Sequence, residues 1–256
     1  MPIRDIGSIA LAYAEHGAGD PVLLLHGQGG RGDAWALQVP ALAATYRVLT
    51  PDLRGHGGST VTPRPYTMPR LADDIAGLIR SLDLPPCHIV GHSLGGMVAL
   101  QLALDAPGLV RSLAIVNSTA FGDGSKLRSL AVRTFIRLRG MPAFARANTR
   151  LHLPDPDQEP LRKRLVDLMG DTPAAGYIAA QDAVDAFDVR PRLAQIAAPT
   201  LVVHSDHDLI PLADKQLLAN TIPRARLAIV EQSRHLVVWD QPERLTALLL
   251  AHLAAT

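Results

Sequence analysis

Charge, cysteine and long apolar runs are all scarce in this chain. Its 256 residues carry 25 Lys+Arg against 24 Asp+Glu, a formal charge of only +1. No global field therefore gathers nucleic acid or an acidic membrane surface, and any charged partner site has to be local. The single cysteine, Cys87, excludes an internal disulfide framework and fits a reducing compartment. It precedes a predicted buried strand, which reads as an inert core thiol. No run approaches the roughly 18 apolar residues of a membrane span, and the N-terminal MPIRDIGSIALAYAEHG lacks the apolar stretch and cleavage site of a secretory signal. The expectation is a soluble cytoplasmic protein without membrane or nucleic-acid partners.

What is present is a core. Hydrophobic residues make up 48% of the chain, ample for one large domain or one domain with an insertion. Short apolar runs at residues 9–15, 21–25, 47–51, 88–90, 113–117, 200–204 and 227–231 read as strands. They alternate with helical patterns at 33–44, 68–82, 94–106, 214–220 and 242–254, as in a mostly parallel sheet flanked by helices. The alternation stops after Ser118 and resumes after Pro191; between them Pro142, Pro154, Pro156, Pro160 and Pro173 break several helical stretches. That segment reads as an insertion into one domain, with no internal repeats or low-complexity tracts anywhere.

Chemistry concentrates in Gly91-His92-Ser93-Leu94-Gly95, a G-x-S-x-G pattern. A strand precedes it and a helix follows without a linker, so Ser93 has to occupy the apex of a sharp, strained turn. Glycines at 91, 95 and 96 remove side chains that would collide as helix and strand approach. The apex also sits at the positive end of the helix, where a developing anion is favoured. A bland alternative is a phosphate-binding or capping turn, but no Gly-Lys-Ser/Thr follows. A serine hydroxyl needs a base, and the base a carboxylate. Among ten histidines, His235 lies just past the last predicted strand, where it can reach back over the sheet edge. For the acid, SDHDLIP (205–211) offers Asp206 and Asp208 after the strand TLVV. Strand alternation cannot choose between them, because both have the same parity. His204, Asp206, His207 and Asp208 could also suggest a metal site, but no second cluster with ligand-like spacing accompanies them. No metal and no cofactor are expected.

His26-Gly27 after PVLLL, Asp52-Leu53-Arg54-Gly55-His56-Gly57-Gly58-Ser59, the elbow GHSLGG and the terminal histidine occur in one order. In this the chain resembles the α/β-hydrolase superfamily over nearly its whole length, and within it the small bacterial esterase, enol-lactonase and carbon–carbon hydrolase group with a helical lid. The resemblance implies an α/β-hydrolase fold with a core at 1–118 and 191–256 and a helical cap inserted at 119–190. It implies Ser93 as nucleophile, His235 as base, and the backbone N–H groups of Gln28 and Leu94 as the oxyanion hole. The family's Gly-x-x-Asp spacing maps onto Ser205–Asp208 and favours Asp208 as the acid. Counting back from Pro211 lands on His207 instead, so Asp206 stays open as the alternative. His26 and the DLRGHGGS loop are read as structural. Arg234 stands before the histidine where many members carry glycine.

The implied activity is hydrolysis of a carboxylic ester, thioester or lactone through an acyl-enzyme. Carbon–carbon hydrolysis or acyl transfer on the same triad is the enzymatic alternative, and a catalytically weak binding or sensor protein the alternative of another class. Residues 126–164 hold ten basic side chains against Asp155, Asp157 and Glu159. This suggests steering of an anionic small-molecule substrate or docking of an acidic carrier protein, against the plain alternative of a solvated face. Leu130, Phe135, Leu138, Met141 and Phe144 read either as acyl-pocket lining or as packing.

Overall fold

A computed structural model describes residues 1–256 except Arg64 and Asp123. Eight strands, β1 (Ile3–Asp5), β2 (Ala10–His16), β3 (Pro21–Leu25), β4 (Arg47–Pro51), β5 (Cys87–His92), β6 (Val110–Val116), β7 (Thr200–Ser205) and β8 (Ala225–Val230), form one sheet in the order β1-β2-β4-β3-β5-β6-β7-β8. The β1–β2 and β2–β4 pairs are antiparallel; every pair from β4 onward is parallel. The helices are α1 (Val39–Leu42), α2 (Met68–Ser81), α3 (Leu94–Asp105), α4 (Lys126–His152), α5 (Glu159–Gly170), α6 (Ala174–Asp185), α7 (Leu212–Thr221), α8 (Val237–Asp240) and α9 (Pro242–Ala254).

The continuous apolar runs of the central strands have a physical cause: both faces of the sheet are covered. Leu23, Leu25, Ile89, Leu113, Ile115 and Val202 point into a core shared with α2 and α3. Their neighbours Val22, Leu24, Val90, Ala114, Val116 and Val203 point into a second core with α8 and α9. Side chains alternate between the faces, so a strand buried on both sides must be apolar at every position. β3 and β5 are accordingly buried throughout.

Two elements differ from expectation. The helix predicted over 33–44 is a 3-10 turn at Gly32–Trp35 followed by the four-residue α1. Pro40 is the reason: it lacks an N–H and its ring clashes one turn back, so the helix restarts with proline in its first turn. β1 was not anticipated, because all three of its residues are exposed and carry no apolar pattern. Between β6 and β7 the chain forms α4, α5 and α6, and the two ends of this segment close on each other. Phe121 bridges Asp188, the Gly122 N–H donates to Phe187 O (2.8 Å) and the Val189 N–H to Ala120 O (2.9 Å). α4 is two helices joined at Gly140, whose non-helical φ of 76° suits glycine, and Pro142 falls in the first turn of the second.

Candidate active site

The parallel register brings four loops to one edge of the sheet. Leu25 is level with Gly91, Val116 with both His92 and Val203, and Ser205 with Val230. The turns that follow β3, β5, β7 and β8 therefore project side by side, which is where open α/β sheets build their sites.

Ser93 sits between β5 and α3 with φ 51° and ψ −116°, a conformation costing on the order of 1–3 kcal/mol for a non-glycine residue. The surroundings hold it there. The Ser93 N–H donates to Val116 O (3.0 Å), and Ser93 O accepts from Ser118 Oγ (2.6 Å). The close approach that permits the turn demands glycine: a Cβ on Gly91 would lie 2.2 Å from Gly95 O, and one on Gly95 would lie 2.2 Å from Leu25 O. Gly27, one residue before Gln28, passes so near that a Cβ there would lie 3.4 Å from Ser93 Cβ. Leu94 opens α3, so its N–H belongs to the first turn, which lacks intrahelical acceptors. The Gln28 side chain points elsewhere, donating to Tyr177 O (3.1 Å) and Gln181 Oε1 (3.2 Å) on α6.

His235 Nε2 lies 3.1 Å from Ser93 Oγ, and its Nδ1 lies 2.7 Å from Asp208 Oδ1. The Asp208 side chain has no exposed surface. Burial alone would raise its carboxyl, but the hydrogen bond and charge of His235 and the ammonium of Lys215 override that and hold it well below the usual carboxylate range. An ionised carboxylate only accepts, so Nδ1 carries a proton and donates to Asp208, which turns Nε2 toward the Ser93 hydroxyl. The histidine loop is pinned by His92 Nε2, which donates to His235 O (2.8 Å), and by Asn117 Nδ2, which donates to the carbonyls of Arg234 and His235 (3.1 Å each). The Arg234 N–H donates to Asp240 Oδ2 (2.7 Å).

Asp206 does different work. Its carboxylate accepts from the N–H groups of Gln232 (2.9 Å) and Ser233 (3.0 Å), tying the β7 loop to the β8 loop. Only Asp208 reaches the histidine. His207 is exposed and lies 3.2 Å from Asp206. Among the described residues no three His, Cys, Asp or Glu side chains converge as metal ligands.

His26 Nε2 accepts from the Leu53 N–H (2.9 Å), and Asp52 accepts from the N–H groups of Gly32 (2.7 Å) and Gly58 (2.8 Å). Arg54 forms a buried ion pair with Asp74. These groups brace the turns around the site and touch neither Ser93 nor His235. Cys87 is buried, and burial pushes its thiol up to about 12.

Two spaces open beside Ser93. The smaller, about 170 Å³, runs between the Gln28 turn and Leu165, Leu168 and Trp239. The larger, about 620 Å³, is walled by Met97, Phe121, Val132, Phe144, Leu151 and Val184. His152 at the end of α4 borders both and lies 5.1 Å, ring to ring, from His235. Burial, aided by His235, lowers its pKa to about 3, so the imidazole is neutral near pH 7.

Of the apolar α4 residues expected to line a pocket or pack, Phe144 lines the larger space and Met141 is buried. Phe135, 39% exposed, packs edge-on against the Phe144 ring (centroids 6.3 Å apart), and Leu130 and Leu138 face outward at 59% and 76% exposure. The helix turns Ser129 and Ile136 inward, which puts 138 on its opposite side and 130 on its flank. The basic surplus is partly consumed: Arg133 pairs with Asp182 (2.5 Å) and Asp185 (3.1 Å), Arg162 with Glu159 (2.7 Å), and Arg164 stacks over Trp239 (4.7 Å). Sequence reasoning missed Asn117, His152 and Lys215. Only Lys215 left a signal: with Leu218 and Ile222 it shares one buried helical stripe.

Residues 20–242 match the family described as alpha/beta hydrolase fold. A protein of Azorhizobium caulinodans named "Putative carbamate hydrolase RutD" is 35% identical over 257 residues, covering 98% of this chain and 97% of that one. The enol-lactonase from Burkholderia xenovorans LB400 superposes with a TM-score of 0.94 at 28% identity, covering 99% of this chain and 100% of that one. A thermophilic esterase from Thermogutta terrifontis gives 0.89 at 29% identity, covering 96% and 94%. Among the described residues no helix is long and apolar enough to cross a membrane.

Proposed function

The chain belongs to the α/β-hydrolase family, and on that premise we propose that it hydrolyses a carboxylic ester, thioester or lactone of a small molecule through an acyl-enzyme on Ser93. The contact chain Ser93 Oγ to His235 Nε2 (3.1 Å) and His235 Nδ1 to Asp208 Oδ1 (2.7 Å) carries the reading. Ser93 Oγ attacks the acyl carbon while its proton passes to His235 Nε2, and Asp208 stays ionised beside the imidazolium. The oxyanion takes the N–H groups of Leu94 and Gln28, a stabilisation in which one donor is typically worth about 10²–10³ in rate. His235 then protonates the leaving group and afterwards deprotonates the water that releases the acyl group.

Residues 119–190 act as the cap over a core of 1–118 and 191–256. Two unequal spaces beside Ser93 suit the two arms of an ester or the ring of a lactone, and cap side chains wall both. A cytoplasmic setting fits the lone buried thiol. The enol-lactonase and esterase likenesses support the bond type, and the RutD relatives add carbamates to what should be assayed.

The test is a panel of short- and long-acyl esters, thioesters, lactones and carbamates, followed through the first turnover. The expected result is turnover of at least one oxygen or sulfur ester, with a burst of leaving group that Ser93→Ala abolishes. Turnover that Ser93→Ala leaves intact, or none on any acyl compound, would overturn the reading.

A further inference from the structure

The edge that carries Ser93, Asp208 and His235 holds one more charge sealed from water. Lys215 on α7 turns inward, and its Nζ donates to Asp208 Oδ2 (2.8 Å) and to Ile210 O (2.8 Å). Both members of the ion pair have no exposed side-chain surface. Lysine is rarely buried completely unless it is paired. The other carboxylate oxygen, Oδ1, accepts from His235 Nδ1 and from the Ile210 N–H (3.2 Å). Each oxygen of Asp208 therefore has its own partners, and the carboxylate cannot rotate without losing them.

We propose that Lys215 is a positioning residue for the hydrolysis: it locks Asp208 with Oδ1 toward His235 and opposes the carboxylate charge that the imidazole faces. The inference depends on the acyl-enzyme reading above. A lone buried carboxylate would draw a proton onto the imidazole beside it, because an opposite charge at contact distance favours the charged form. A protonated His235 cannot take the proton of Ser93. With Lys215 on the far oxygen, the ammonium opposes part of the carboxylate's field at the imidazole, and Asp208 still fixes its tautomer and direction.

The other groups around both residues leave this role to Lys215. His235 is faced by Asp208 from the loop after β7, by His92 at the end of β5 (ring centroids 5.1 Å apart) and by His152 from α4. Burial holds both neighbouring imidazoles neutral, each with its pKa lowered to about 3. Lys215 is faced by Asp208, by the charge of Asp214 on its own helix, and by His204 on β7. His204 is held below its ordinary range by burial and then by Lys215 itself. Asp214 is engaged by Thr119 Oγ1 (2.9 Å) and adds negative charge, so among these groups Lys215 is the cation that opposes the field of Asp208.

The experiment is the second-order rate of fluorophosphonate labelling at Ser93 across pH 5–9, which needs no knowledge of the substrate. It is run on the wild type, Lys215→Arg, Lys215→Gln and Lys215→Met, with the melting temperature of each. Wild type and Lys215→Arg should share one acid-side midpoint. Lys215→Gln keeps a donor without a charge and should move that midpoint up by about one pH unit, a roughly tenfold loss of labelling rate well below it. Lys215→Met should show the same shift together with a lower plateau. A midpoint that stays put or moves down in both uncharged variants would overturn the proposal, since merely loosening the Asp208–His235 contact lowers the basicity of His235.

If neither uncharged variant folds, ¹⁵N-lysine spectra of the wild type decide. A Lys215 ammonium signal that persists from pH 6 to 8 and moves when Ser93 is phosphonylated supports the proposal; a neutral amine overturns it. Failure of the wild type to label at Ser93 is a separate outcome that removes the acyl-enzyme reading itself.

Discussion

The sheet edge and the inserted helices are built on opposite terms. At the edge, Lys215, Ser205 and Asn117 are fully buried, the Asp208 side chain has no exposed surface, and their polar atoms are committed to named partners beside the site. In the insertion, α4 leaves Leu127 and Leu138 at 82% and 76% exposure, kinks at Gly140 and meets the site through Phe144, Leu151 and His152. The insertion meets the rest of the chain through Gln28 to α6 and Thr172 Oγ1 to Gly29 O (2.8 Å), and Ala179, Ala180 and Ala183 of α6 pack into the core beside α2 and α3. On the proposed function the contrast separates two duties: the edge would fix the geometry of reaction, where displacement by about 1 Å can cost 10²-fold, and the insertion would shape what reaches it.

The largest break expected in this comparison lies within SDHDLIP. Asp208→Asn should lower kcat by about 10⁴, because an amide no longer enforces the tautomer of His235, while Asp206→Asn should cost less than about tenfold and act through loop stability. Steady-state kinetics of the two variants on any one ester checks this; equal losses would erase the distinction between the aspartates.

Next in size is the elbow. Gly95→Ala puts a Cβ 2.2 Å from Leu25 O, a backbone atom that cannot swing away, so destabilisation of about 3 kcal/mol or more is expected. The denaturant midpoint reads it directly. Ala replacing Gly124, where nothing lies within 4 Å, should cost only the strain of its positive φ, about 1 kcal/mol.

Acid should strip the core before the insertion's surface matters. Burial lowers His26 to about 4, His56 to about 3 and His92 to about 3. Their folded pKa values lie below the unfolded value near 6.5, so the unfolded chain binds more protons once pH drops under 6.5. Stability is then complete above pH 6.5 and falls as pH goes from 6.5 toward 5, by up to about 1.4 kcal/mol per pH unit per histidine. Thermal unfolding scans across that window should show a steep decline, and a flat profile would contradict the neutral burial of these rings.

The smallest effects belong to the insertion. Phe144→Ala should change the ratio of kcat/KM between long and short acyl esters by about tenfold, with labelling of Ser93 unaltered. Leu138→Ser on its outer face should leave both unchanged. Arg137→Gln should reduce kcat/KM for anionic esters a few-fold at low salt, by about the weight of one screened charge.

This contrast also explains what was legible in the sequence. Central strands were readable because burial on both faces forces unbroken apolar runs such as PVLLL and TLVVH, and the elbow because its glycines are obligatory. The helix over 33–44 failed on Pro40, and β1 on having no buried residue to announce it. In the site, the spacing implied by the family resemblance favoured Asp208, which reaches His235, while parity and the count back from Pro211 left Asp206 open. Lys215 was invisible because a lysine on a short helix is ordinarily solvated; only its stripe with Leu218 and Ile222 marked it. The outward turn of Leu130 and Leu138 was unreadable because α4 carries apolar residues on both of its sides.

The central claim is that Ser93 is a nucleophile activated from the sheet edge. Intact-protein and peptide mass spectrometry after brief exposure to a fluorophosphonate at pH 8 tests it most directly. One phosphonyl group per chain, located on Ser93 and absent from Ser93→Ala and His235→Ala, is the predicted result. An unlabelled wild-type protein, or an adduct on another residue that survives Ser93→Ala, would contradict it.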